Sequence, residues 1–230
     1  MDKQKSIVII PAYNEEASIE RTVEDLKSVA KDVDFIVVND GSGDATAEIC
    51  RQNSYPFIDL PINLGLAGAF QAGMKYALKH GYDCAIQFDG DGQHVPKYVE
   101  GLAMLTNEAD IVIGSRFVEE AKPRSMRMLG SNLISTTIKL TTGTTIKDPT
   151  SGMRAYNKRM IEIMANNLNV GPEPDTISYL IKKKGAKIKE MQVTMRERQA
   201  GESYLTAGVS VKYMLKMMIS ILFVQFFRKS

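Results

Sequence analysis

Five short aliphatic runs, alternating with stretches of helical spacing, constrain this chain more than any other feature of its sequence. Ser6-Ile-Val-Ile-Ile10 is closed by Pro11, and Phe35-Ile-Val-Val38, Phe57 to Leu60, Cys84 to Phe88 and Asp110 to Gly114 are of the same kind. Runs this short, apolar in succession rather than alternately, read as strands buried on both faces. Between them, Glu15 to Val29 places Ile19, Val23, Leu26 and Val29 at helical spacing, and Asp44 to Gln52 and Leu66 to His80 also read as helices. Strands that alternate with helices build an α/β layer around a mostly parallel central sheet flanked by helices. Ligands bind at the carboxyl ends of the strands in such sheets. Pro11–Glu15, Asn39–Asp44, Asp89–His94 and Ser115-Arg116 are therefore expected to face one crevice.

Beyond about residue 118 the pattern loosens. Lys122 to Lys139 is basic and partly helical in spacing, and Asp148 to Arg154 reads as a loop. Lys158 to Asn166 and Thr176 to Lys184 read as helices, and Ala186 to Val193 alternates like a strand. Val209 to Phe227 differs again: its apolar residues surround the helix instead of forming one stripe. That points to a membrane interface or a partner rather than to the chain's own core. Its apolar centre, Met217 to Val224, falls short of the roughly 20 residues a membrane span needs, although Lys212 and Lys216 can snorkel. The expected division is a main domain over residues 1–205 and a C-terminal amphipathic or apolar helix over 206–230.

A chain of 230 residues suits one domain with such an appendage. The net charge of +2 gives no basis for a nucleic-acid partner. Cys50 and Cys84 fit no metal spacing and read as buried thiols of a reducing compartment. Met1 to Lys5 is polar and the following apolar run is too short for a secretory leader, so a cytoplasmic location is expected.

Asp89-Gly-Asp91-Gly-Gln-His94 follows directly on an apolar run. Two carboxylates two residues apart at a strand end can reach one hard cation, magnesium or manganese, whose shell is completed by substrate phosphates and water. An ordinary turn is the rival reading. A calcium loop fails, because Pro96 interrupts it before Glu100. His94 reads as a third ligand or, preferably, as a residue that steadies the loop. Pro11-Ala-Tyr-Asn-Glu15 offers a stiff turn, the ring face of Tyr13 and the carboxylate of Glu15 to a nucleoside, or marks a helix start with Asn14 as its cap. Asp40-Gly-Ser-Gly-Asp44 carries the same two readings, and no Gly-x-Gly-x-x-Gly follows the first strand.

Taken in order, these motifs resemble family 2 of the glycosyltransferases, in the dolichol-phosphate or polyprenyl-phosphate sugar synthase branch. Asn63-Leu-Gly65, Gly114-Ser-Arg116, Asp148-Pro-Thr-Ser-Gly-Met-Arg154 and Arg196-Glu-Arg198 extend the likeness over roughly residues 6 to 205. The resemblance implies a GT-A fold. It implies that Pro11, Tyr13, Glu15 and Asp40 hold the nucleoside, and that Asp89, Asp91 and Gln93 hold Mg2+ or Mn2+ with the diphosphate. It places Arg116, Arg127 and Ser131 at an acceptor lipid phosphate and Arg198 near the phosphates. Asn39 departs from the family, which usually has Asp there, and the C-terminal transmembrane pair of many bacterial members is missing from this sequence.

The implied reaction is a single inverting transfer from a nucleoside diphosphate sugar to a polyprenyl phosphate such as undecaprenyl phosphate. A UDP-sugar (UDP-GlcNAc or UDP-glucose) is the favoured donor and GDP-mannose the alternative. A phosphate monoester, with its second pKa of about 6, is already ionised near neutrality and needs no strong base. Arginines suit that acceptor, with Arg116, Arg124, Arg127, Arg154, Arg196 and Arg198 as the pool. A saccharide hydroxyl as acceptor would instead need a base such as Asp148, Glu173 or Asp175. A non-catalytic binder of nucleotide sugars is the remaining reading. The expected setting is the cytoplasmic face of the membrane, held peripherally, with the C-terminal helix meeting lipid, a small membrane protein or a second copy.

Overall fold

The aliphatic runs assemble into one sheet in the computed structural model, which describes residues 4–123, 125–167, 170–197 and 214–223, the side chains of residues 126 and 127 excepted. The strands are β1 (Ser6–Ala12), β2 (Asp34–Asn39), β3 (Phe57–Asp59), β4 (Cys84–Gln87), β5 (Ile111–Ser115), β6 (Arg154–Asn157) and β7 (Ile188–Gln192). Their order across the sheet is β3-β2-β1-β4-β6-β5-β7. β6 runs antiparallel to both its neighbours and every other pairing is parallel. The helices are α1 (Ile19–Val29), α2 (Thr46–Gln52), α3 (Gly65–Lys79), α4 (Val99–Leu105), α5 (Met126–Thr142), α6 (Lys158–Asn166) and α7 (Pro174–Lys184). Residues 214–223 form a further helix, α8.

Two cores, one on each face of the sheet, explain why β1 is apolar at successive residues. Ile7 and Ile9 belong to one core with α3, while Val8 and Ile10 belong to the other with α1. The two cysteines are buried as expected, and burial pushes the Cys84 thiol up to about 12. The small residues of α3 also have a use. A side chain at Gly73 would begin 2.3 Å from Ile9 Cγ2, so the helix lies against the strand with no room between them.

Three elements differ from the sequence expectation. β6 was not expected, because its four residues include Arg154 and Asn157 and form no apolar run. Its place comes from its neighbours: Ala155 pairs with Ile86 on one side and Val112 on the other. α1 starts at Ile19 rather than near Glu15, because Asn14 takes a left-handed backbone conformation, with φ of 55°, and turns its side chain to another loop instead of capping a helix. α8 is apolar all round in sequence, yet Met217 and Ile221 are buried in this chain's own core while Leu215 and Ile219 are exposed. Its Ser220 hydroxyl bonds Asp175 at the start of α7 at 2.5 Å. Among the described residues, no helix is long and apolar enough to cross a membrane.

The sheet edge opposite the crevice is tied by Asp110. Its carboxylate accepts from Asn157 Nδ2 (2.9 Å), Arg159 Nε (3.0 Å) and the Lys187 N–H (2.8 Å), so one side chain joins the starts of β5 and β7 to the end of β6. Burial opposes ionisation of Asp110, but the bonds from Arg159, Lys187 and Asn157 outweigh it and hold the carboxyl below its ordinary value. A depressed carboxyl contributes stability that is complete above the unfolded value and is lost as pH falls through the folded one. Asp110→Asn is expected to flatten the acid limb of a stability–pH curve below the ordinary carboxyl value of 3.8 while lowering stability at neutral pH by about 1.5–3 kcal/mol, read from urea unfolding midpoints. An acid limb identical to that of the parent would show that Asp110 is not the group being titrated.

Candidate active site

β2 and β4 lie on opposite sides of β1, and a crevice opens at the carboxyl ends of these strands. A cleft of about 260 Å³ sits there, and its lining includes Pro11, Tyr13, Glu15, Asp40, Asp89 and Asp91. The structure thus brings together six residues expected from three separate loops.

The first two loops are clasped by reciprocal bonds. Asn14 N–H donates to Ser42 Oγ (2.9 Å), Glu15 N–H to Thr46 Oγ1 (2.9 Å) and Glu16 N–H to Asp44 Oδ2 (3.0 Å). In return Gly43 N–H donates to Asn14 Oδ1 and Ala45 N–H to Glu16 Oε2, both at 2.9 Å. Burial opposes the charge on Asp44, but its bonds from Thr46 and Glu16 hold the carboxyl below its usual range. Asp40 is buried, and one of its oxygens accepts the Leu64 N–H at 2.7 Å. Gly41 has φ of 65°, and a side chain there would begin 2.6 Å from the Ile62 carbonyl carbon, so only glycine lets these strands' loops approach.

The third loop is held from below. His94 is buried edge-on to Phe88, and its Nδ1 accepts the Asp89 N–H at 2.9 Å. An accepting Nδ1 carries no proton, so the proton of a neutral ring sits on Nε2, which faces Asp89 Oδ2 at 3.5 Å. His94 therefore steadies and orients Asp89, as the second of its two readings required. Gly92 turns the chain with φ of 76°, and the Gln93 N–H bonds Asp91 Oδ1 at 3.0 Å. Thr22 of α1 bonds the Gly90 carbonyl at 3.1 Å. The Gln93 side chain is directed to the Arg196 carbonyl (3.5 Å) and is not among the cleft-lining residues.

This donor set fits a divalent cation. The oxygens of Asp89 and Asp91 are hard ligands lining the cleft, and Asp89 has a histidine behind it of the kind that orients metal-binding carboxylates. Among the described residues no group of three or more His, Cys, Asp or Glu side chains is arranged to hold a metal alone. The remaining ligands would have to come from phosphates and water.

A second cluster lies beside the first. Arg116 Nε and Nη2 reach Asp148 Oδ2 (2.7 Å) and Oδ1 (2.8 Å), and Asp148 is fully buried. Lys122 Nζ donates to buried Ser131 on α5 at 3.1 Å. Burial pulls the Lys122 pKa down against the attraction of Asp148 and Glu190, and Arg116 adds to the depression. Sequence reasoning placed Lys122 in a basic stretch without singling it out. The loop from Asp148 to Arg154 links the two clusters, because a side chain at Gly152 would begin 2.6 Å from Asp89 Oδ2.

The other arginines of the pool divide. Arg154 is buried and donates to the carbonyls of Pro172 (2.5 Å) and Pro149 (2.8 Å), so it serves as a clamp between loops. Arg196 pairs with Asp25 at 2.6 Å. Arg124, Arg198 and the side chain of Arg127 lie outside the described residues. Of the three alternative bases, Asp148 is held by Arg116 and Asp175 by Ser220. Burial first, and then Asp175, push the Glu173 carboxyl above its usual range against the pull of Arg154.

Comparison with known proteins adds four findings. Residues 7–164 match the family described as glycosyl transferase family 2. An undecaprenyl-phosphate mannosyltransferase of Micrococcus luteus is 32% identical over 216 residues, 88% of each chain. A UDP-N-acetylglucosamine–dolichyl-phosphate N-acetylglucosaminyltransferase of Methanococcus voltae is 30% identical over 183 residues, 70% of this chain and 72% of that one. Among solved structures, glucosyl-3-phosphoglycerate synthase of Mycobacterium tuberculosis superposes with a TM-score of 0.70 at 16% identity, over 95% of this chain and 79% of that one. At that identity the likeness is one of fold.

The Arg116–Asp148 pair is asymmetric. Removing Arg116 strands a fully buried carboxylate, whereas removing the charge of Asp148 leaves a guanidinium with a route to water. Arg116→Met is expected to lower stability by about 3 kcal/mol and Asp148→Asn by about 1 kcal/mol. Urea midpoints check the order, and equal or reversed losses would show that the pair does not brace the loop.

Proposed function

The chain belongs to glycosyl transferase family 2, and from that premise we propose that it moves a sugar from a nucleoside diphosphate to a polyprenyl phosphate. The observation that carries the proposal is the joining of the two clusters: acidic residues at the strand ends and Arg116 with Lys122 beside them, bridged by the loop from Asp148 to Gly152. An acidic half suits a cation and its diphosphate, and a basic half suits a second phosphate.

Each residue then has work to do. Tyr13 and Pro11 wall the nucleoside, with Glu15 and the second oxygen of Asp40 facing it across the cleft. Asp89 and Asp91 hold Mg2+ or Mn2+, and Gln93 acts through its main chain by fixing Asp91. The bound cation supplies charge neutralisation for the departing diphosphate. Asp148 occupies two nitrogens of Arg116 and so aims the guanidinium, whose Nη1 turns with Lys122 toward the acceptor phosphate. Ser131, Arg127 and Arg198 complete that end. The acceptor oxygen is ionised already, so positioning and charge carry the rate and no general base is required. This agrees with the locking of Asp148 and Asp175 by other partners.

For the donor, the relative named for UDP-N-acetylglucosamine supports a UDP-sugar. A UDP-sugar is therefore the first reading and GDP-mannose the second, favoured by the relative named as a mannosyltransferase. The protein would work peripherally at the membrane where its acceptor resides, on the cytoplasmic face, with residues 1–205 as the catalytic unit and 206–230 as the attachment.

Transfer to undecaprenyl phosphate from UDP-GlcNAc, UDP-glucose and GDP-mannose tests the proposal. A UDP-sugar is expected to turn over fastest, giving an acid-labile product that partitions into organic solvent. A product that stays in water would point to a hydroxyl acceptor. Asp91→Asn is expected to lower turnover at least about a thousandfold, with an unchanged unfolding midpoint. Near-normal turnover of that variant with magnesium would remove Asp91 from the cation site.

A further inference from the structure

Gln87 is out of character with the strand that carries it. It ends β4 and is 1% exposed, between Ile86 and Phe88, which are buried as well. Cys84 and Ile86 belong to the core shared with α1 and Ala85 to the core shared with α3, so the alternation of the strand turns Gln87 to the α3 side. A side-chain amide buried there is costly unless its donor and its acceptor are both bonded. Only half of this one is. Nε2 donates to Asp89 Oδ1 at 3.3 Å, and among the described residues Oε1 has no partner. An apolar side chain of the same length would fill the place without that cost. Packing therefore does not account for the amide.

Its surroundings give it a direction. Arg154 stands opposite Gln87 in the pairing of β4 with β6, and residues directly opposite share one face of the sheet. Arg154 is also 1% exposed. Its two terminal nitrogens hold the carbonyls of Pro172 and Pro149, and among the described residues its Nε has no partner. The Gln87 amide thus has a carboxylate two residues along its own chain and a guanidinium on the neighbouring strand. An amide is a dipole, positive at the NH2 and negative at the oxygen. Between an anion and a cation it has one favoured sense, with the NH2 toward Asp89. The reverse sense would set an oxygen against the carboxylate. Asp89 is then gripped from two sides: Gln87 bonds Oδ1, while His94 accepts the Asp89 N–H and faces Oδ2 at 3.5 Å.

We propose that Gln87 is a positioning residue for the cation site: it holds the Asp89 carboxylate in the orientation that a divalent cation meets. This rests on the reading of Asp89 as a ligand of Mg2+ or Mn2+. A carboxylate bonded in advance gives up less freedom when the cation arrives. Partners behind a metal ligand are worth about ten- to a hundredfold in metal affinity. The half-bonded amide is retained for binding at the expense of the core, so stability and cation affinity pull in opposite directions at this position.

The test is isothermal titration of the full chain with UDP and with GDP, each in manganese and in EDTA. For whichever nucleotide binds, the ratio of the two affinities reads the contribution of the cation. The parent is expected to bind more tightly in manganese. Gln87→Met keeps an unbranched side chain of similar length and removes the amide. It is expected to cut the ratio about tenfold, to leave the affinity in EDTA unchanged and to melt no lower than the parent. A residue that served packing alone would move the melting midpoint and not the ratio. Should Gln87→Met melt lower, Gln87→Leu repeats the measurement. A ratio of parental size in these variants overturns the role of Gln87 and leaves the cation reading standing. Equal losses in manganese and in EDTA would assign Gln87 to the shape of the cleft and overturn the role as well. A parent that binds neither nucleotide, or binds them equally in both buffers, removes the cation site and with it anything for Gln87 to position.

Discussion

Everything in this molecule depends on the parting of the chain around β1. β2 lies to one side of that strand and β4 to the other, so the loops that follow them cannot close over the strand ends. The gap is a consequence of topology and exists before any side chain is chosen. What the sequence adds is furniture: a clasp of five hydrogen bonds between the first two loops, and a histidine under the third. These fix main chain in a region where a sheet gives it no partner.

The charged side chains show how poorly residue type predicts role. Arg154 and Arg116 are both arginines near the crevice, yet Arg154 is buried under two loops and Arg116 retains a route to solvent. Asp89 and Asp148 are both carboxylates, yet one faces the cleft and the other is spent on bracing its neighbour. A buried ion pair gives little net stability, because desolvation offsets attraction. Its value here is positional: Asp148 holds two nitrogens of Arg116 and removes the freedom of a long side chain.

Much of this was legible beforehand, for a physical reason. β1, β2 and β4 are buried on both faces, so their residues are apolar in succession, and the loops after them could be located to the residue. β6 was invisible because its four residues are held by neighbours far along the chain, and no local pattern records that. The start of α1 was misplaced because Asn14 bonds across to Gly43, a contact that local capping rules do not contain. Gly152 looked like any loop glycine until its closeness to Asp89 was seen. Lys122 was passed over because a basic stretch does not reveal which of its members faces inward. Short-range preferences were readable, and contacts made across the chain were not.

At Gly41 and Gly90 the close neighbours are main chain: a side chain would begin 2.6 Å from the Ile62 carbonyl carbon at Gly41 and 3.2 Å from the Pro11 carbonyl oxygen at Gly90. A wall of backbone has a shape set by torsion angles and does not change when neighbouring side chains are exchanged. Such a site is inherited as a mould. Substitutions can accumulate around it while the outline of the main chain stays the same. Divergence is then concentrated on the few side chains that project past the mould, and those are where differences in donor preference between relatives should be sought.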